Sequence, residues 1–165
     1  MLIALPFDCW LSVVKYLDKP SLASISAVSR HFHTSALPLL YQRISFSWDY
    51  TPLTFILQLL WTVLQCPDIA FLIQHVAFVS PQKNVAKHNW KTENVKDEAY
   101  WKEEVSRFTD VVKFALEVIQ KAKFPEDEVP KWSTAIKNGD AYALVTILLS
   151  QLHKLESLQL DYSFV

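Results

Sequence analysis

LPFDCWLSVVKYLDKPSLASISAVSRHFHTSALPLLY, residues 5–41, is the most informative part of the chain. Pro6 follows Leu5 where a helix would start, and proline suits a first helical position because the N–H it lacks would be unpaired there. Trp10, Val13, Val14 and Leu17 then recur at the i, i+3, i+4, i+7 spacing of one helical face, with Asp8, Ser12 and Lys15 between them. Asp18-Lys19-Pro20-Ser21 breaks that pattern and offers a new start. Leu22, Ile25 and Val28 form a second short stripe, and Ser29-Arg30-His31 opens a third segment towards Pro38. The pattern predicts three short helices. A unit of about forty residues lies near the size below which a core is hard to stabilise alone, so it needs the following domain, another protein, or both.

Taken in order, Leu5-Pro6-Phe7-Asp8, Trp10, Val13-Val14, Tyr16-Leu17, Pro20-Ser21-Leu22, Val28-Ser29-Arg30, Phe32, Ala36 and Pro38-Leu39-Leu40-Tyr41 resemble an F-box. Asp8 stands where that family more often has Glu, Ser29 where Cys is common and Phe32 where Trp is frequent. Asp for Glu shortens a polar contact by one methylene, and Phe for Trp keeps an aromatic anchor but removes an indole donor. The resemblance implies that the three helices dock on the Skp-type linker subunit of an SCF-type cullin-RING ubiquitin ligase while the rest of the chain holds a protein substrate. It makes Leu5, Pro6, Trp10, Val13, Leu17, Leu22, Val28, Phe32, Leu39 and Tyr41 the linker-binding candidates, in keeping with the large apolar and aromatic anchors of interfaces. Some of them must instead close the module's own core, and the sequence does not sort the two groups. Periodicity alone fits equally an ordinary helix set serving one continuous core.

The chain has 165 residues, 51% of them apolar, and a formal net charge of −1. It is therefore neither disordered by composition nor basic enough for a dedicated nucleic-acid binder. Cys9 and Cys66, too few and too isolated for a disulfide framework or a zinc site, fit a reducing compartment, cytoplasmic or nuclear. No charged region precedes the apolar start at Met1–Leu5, so no signal peptide is expected.

Beyond Tyr41, Arg43-Ile44-Ser45-Phe46-Ser47-Trp48 alternates as a short strand would. The most apolar segment, Leu53 to Cys66, lies between Pro52 and Pro67; a spanning helix needs about twenty residues, so a buried helix and no membrane contact are expected. Between Pro67 and Pro81, the chain reads as a short helix and then a strand over Ile73–Val79, β-branched and aromatic enough to be buried on both sides. This helix and strand resemble the lead-in to the leucine-rich repeats of many fungal F-box proteins.

Residues 80–99 are a polar loop with Trp90 as its one large aromatic, either an anchor into the core or a contact residue. From Tyr100 the helical period returns, with Trp101, Val105, Phe108, Val112, Ala115 and Ile119 on one stripe. Pro125 and Pro130 bracket an acidic turn, Glu126-Asp127-Glu128, read as solvated. Gly139, the only glycine, suits a left-handed helix cap, with Asp140 as the next N-cap and an apolar, buried helix after it. Leucines at 152, 155, 158 and 160 then resemble the start of a leucine-rich repeat, with Leu158 and Leu160 pointing inward. Such a repeat should continue, so the expectation is a fragment, a shortened gene product, or an F-box protein keeping only the start of its repeat region.

The fold expected is mainly α: an F-box over residues 1–46, then over 47–165 a helix-rich α/β domain whose short strands resemble the start of a leucine-rich-repeat solenoid. No phosphate-cradling, nucleophile-elbow or zinc-protease motif occurs. His31 and His33 lack a Cys or acidic partner at ligand spacing, and neither cysteine has an electropositive neighbourhood. The sequence points to no catalysis, cofactor or metal. Function is read as a substrate-recruiting adaptor that acts through proximity. The alternative is a non-catalytic scaffold using F-box-like helices outside a ubiquitin ligase.

Overall fold

The computed structural model describes residues 7–47, 53–79, 106–122 and 124–160. Leu5, Pro6, Trp90, Trp101, Val105 and the polar stretch 80–99 lie outside them. Helix α1 spans Phe7–Val14. Asp18 caps α2, Lys19–Ser26, its carboxylate accepting the Ser21 N–H at 3.0 Å with Pro20 in the first turn. Ser29 caps α3, Arg30–Tyr41, its hydroxyl accepting the Phe32 N–H at 3.3 Å. Pro38 lies inside α3, where it has no N–H to donate, yet the helix runs on and the Gln42 N–H donates to the Pro38 carbonyl at 2.8 Å. Val14, Leu22 and Ala36 form the core of this module, with Trp10, Leu17, Leu39 and Leu40 packed around them.

Three parallel strands follow in the order β1 (Arg43–Ser47), β2 (His75–Val79) and β3 (Ser157–Leu160). Parallel neighbours cannot be joined by a tight turn, so each pair needs a crossover. Helices α4 (Leu53–Gln65) and α5 (Pro67–Ala70) lie between β1 and β2; α6 (Thr109–Lys121), α7 (Val129–Lys137) and α8 (Ala141–Ser150) lie between β2 and β3. Gly139, at φ 75°, takes the left-handed turn between α7 and α8. The Asp140 carboxylate then accepts the N–H groups of Tyr142 and Ala143 at 2.8 and 3.1 Å and starts α8 as expected.

Register puts Ile44, Val76 and Leu158 in one row and Phe46, Phe78 and Leu160 in the next. The face they share meets α4, α6 and α8 in a core that holds twenty buried side chains among the described residues, where the Phe46 and Phe78 rings stack at 5.2 Å. Helix α4 is buried as its composition predicts, through Ile56, Leu57, Leu59, Leu60 and Val63. No helix among the described residues is long and apolar enough to cross a membrane.

Three details differ from the sequence reading. β2 is closed on one face only: Val76 and Phe78 are buried, while His75, Ala77 and Val79 are half-buried. Leu158 and Leu160 share the inward face but are 41% and 49% exposed, because no described strand pairs with β3 on the side away from β2. In α6, Val111 is buried with Ala115 and Ile119 while Val112 is half-buried. That helix packs against both α4 and α7, so it buries a wider arc than one stripe.

Candidate functional site

The N-terminal module turns sharply after α1. The Tyr16 N–H donates to the Val13 carbonyl at 3.0 Å and the Leu17 N–H to that of Val14 at 3.2 Å. That turn returns Leu17 to the small core and leaves Tyr16 92% exposed. Between α2 and α3 a second turn, closed by the Val28 N–H on the Ile25 carbonyl at 3.0 Å, leaves Val28 69% exposed. Val13, on α1, is 50% exposed. Such outward apolar side chains, on a module with so few inward ones, are what a protein-docking surface requires.

The structure thus divides the sequence candidates. Val13 and Val28 face solvent. Leu22 is buried in the module's core, and Leu17 and Leu39 are half-buried against it. Trp10 is half-buried and packs on Phe32, with ring centroids 4.4 Å apart. The Trp10 indole nitrogen is buried with no hydrogen-bond partner among the described residues. Tyr41, at the end of α3, packs against the larger core instead. Leu5 and Pro6 lie outside the described residues. Tyr16, the most exposed of the module's large apolar residues, is missing from the sequence-based candidates, although its place just past the last α1 turn was the available signal.

Two polar contacts fix the module. Hydrogen bonds from Ser21, its side chain first and its backbone N–H second, hold the Asp18 carboxyl below the ordinary value of 3.8, favouring the charged form that caps α2. The Lys19 ammonium donates to the Arg43 carbonyl at 2.6 Å and ties α2 to β1. Elsewhere His31 and His33 are exposed on α3, and His75 Nδ1 lies 2.8 Å from the Ser157 hydroxyl across β2 and β3. Among the described residues, no three His, Cys, Asp or Glu side chains gather as a metal-holding group.

The F-box-like family model matches residues 2–47. The matched stretch takes in α1, α2, α3 and the whole of β1, so it crosses from the small core into the large one. No curated protein and no solved structure matches the chain. The chain therefore carries an F-box-like domain, a module class that works through protein–protein interaction, and the last strand of the matched stretch, β1, is part of the three-stranded parallel sheet.

Proposed function

We propose that the protein is a substrate-recruiting adaptor of an SCF-type cullin-RING ubiquitin ligase, docking on the Skp-type linker through residues 2–47. The observation that carries this reading is the F-box-like match over a module whose Val13, Tyr16 and Val28 are turned to solvent. Docking would bury those side chains and compensate for the module's thin core. On this reading the chain performs no chemistry: it holds a protein substrate near the ubiquitin-transferring subunits, and it works in the cytoplasm or nucleus. The domain after the module would be the substrate-holding part. Its reading as the start of a leucine-rich-repeat array of the fungal F-box type is supported by parallel strands in chain order, each carrying apolar residues at alternate positions.

The test is capture of the purified chain by the Skp-type linker, comparing the wild type with a Val13→Asp/Val28→Asp double variant and with Leu5→Ala/Pro6→Ala. Capture by the wild type, lost in the exposed-residue variant while its helical circular dichroism is unchanged, supports the adaptor. A folded wild type that the linker does not capture removes the ligase assignment and leaves the scaffold reading.

A further inference from the structure

The small core and the sheet meet where α3 runs into β1 through Gln42 alone. Leu40 packs on the small core and Tyr41, the next residue, on the large one. The Gln42 N–H closes the helix on the Pro38 carbonyl at 2.8 Å, and the Gln42 carbonyl accepts the N–H groups of Gln74 and His75 at the start of β2, both at 3.0 Å. Its side-chain amide donates to the Gln74 amide oxygen at 2.6 Å. Gln42 thus belongs to the helix through its N–H and to the sheet through its carbonyl, which leaves no loop between them.

The weak point of this joint lies one turn earlier. Pro38 sits inside α3 without an N–H, so the Thr34 carbonyl lacks the donor that an uninterrupted helix would give it, and helices bend where that ladder is broken. Flexing there would swing α1 and α2 against the sheet. Helix α2 packs along α3, and its first residue, Lys19, reaches past Pro38 to the Arg43 carbonyl at 2.6 Å. The bond closes a triangle of α2, the end of α3 and the start of β1, and a closed triangle does not shear without lengthening a side. An ionised donor makes it one of the stronger kinds of hydrogen bond. Asp18 holds the base of the brace, since its carboxylate on the Ser21 N–H fixes the first turn of α2 from which Lys19 projects.

We propose that Lys19 is a positioning residue: its bond to the Arg43 carbonyl braces α3 across Pro38 and fixes the angle between the exposed face of α1–α3 and the sheet. The use of this brace rests on the adaptor reading. There, a fixed angle holds a bound substrate in one place relative to the linker, whereas a hinge at Pro38 would spread it over a volume and weaken the proximity on which an adaptor depends. Lys19 is not one of the apolar side chains assigned to docking, so its removal separates the angle from the affinity.

The experiment uses the full chain. Cys9 on α1 and Cys66 just after α4 are its two cysteines, both exposed, so nitroxide labels on them report the distance from the module to the larger domain by pulsed electron paramagnetic resonance. The expected result is a single narrow distance distribution for the wild type. Lys19→Met, which keeps the stem and removes the ammonium, should broaden it, and Lys19→Arg, which restores a cationic donor, should narrow it again. Should the methionine variant lose its helical circular dichroism, Lys19→Gln takes its place. A broad distribution in the wild type, a folded Lys19→Met chain indistinguishable from it, or no recovery with arginine would overturn the proposal. Capture of the unlabelled chain by the Skp-type linker is the separate arm: its failure in the wild type removes the adaptor reading and leaves the measured angle standing. Captured wild type with uncaptured Lys19→Met would make Lys19 a docking contact and overturn its positioning role.

Discussion

Among the described residues, the helices α1–α3 close over three buried side chains, Val14, Leu22 and Ala36, whereas the sheet and α4–α8 close over twenty. Burial stabilises in proportion to apolar area, at about 25 cal/mol per Å². The module therefore has a small margin of its own, and part of its apolar residues, Val13, Tyr16 and Val28, lies outside. In the larger domain the same kind of residue mostly goes inside, as Leu144, Val145, Ile147 and Leu148 of α8 do. An apolar stripe at helical spacing means core in the second region and both core and surface in the first.

The contrast is broken or sharpened by substitutions, beginning with the largest effect. Leu144→Ala removes a fully buried side chain where α8 packs on α4, and should cost about 2–5 kcal/mol in a chemical melt. Loss should be felt through α4–α8 and the sheet together. Leu22→Ala should cost about 2–3 kcal/mol by the same cavity rule, but locally. Hydrogen exchange should quicken in α1–α3 and stay unchanged in α4 and α8; quickening in both regions would merge the two cores into one cooperative unit.

Asp140→Ala leaves the first N–H groups of α8 without their acceptor and should cost about 1 kcal/mol, read as faster exchange at Tyr142 and Ala143. Asp18 gives the pH counterpart in the module. Its folded pKa is lowered, so its contribution is fully present above the unfolded value and is lost as pH falls through the lowered one. Asp18→Asn keeps a capping oxygen without the titration, and should flatten the acid limb of α2 exchange below the ordinary value of 3.8. An unchanged acid limb would assign the loss to other carboxylates. Smallest is Val28→Ser, which should shift stability by less than about 0.5 kcal/mol, as exposed positions do, while weakening capture by the linker.

Much of this was legible locally. Asp18 and Ser29 announce helix starts, Gly139-Asp140 announces a stop and a start, and the structure puts caps at each. The buried character of α4 and α8 follows from their composition. The site was less legible: Trp10, Leu22 and Val28 look alike along the chain, yet one packs on Phe32, one is core and one is surface. The threefold pattern of the sheet also escaped the sequence. Its members are separated by 32 and 82 residues, and unequal intervals leave no fixed period to find.

Local sequence sets where α2, α3 and α8 begin and where α7 ends, because capping bonds and glycine's backbone freedom act within a few residues. It also determined the F-box-like order of residues 2–47. Tertiary structure alone decided which apolar side chains go inside, that the Lys19 ammonium reaches the Arg43 carbonyl, and that Leu158 and Leu160 are 41% and 49% exposed. Those outcomes depend on neighbours far away in the chain, and burial is fixed by what packs alongside a residue and not by the residue's own apolarity.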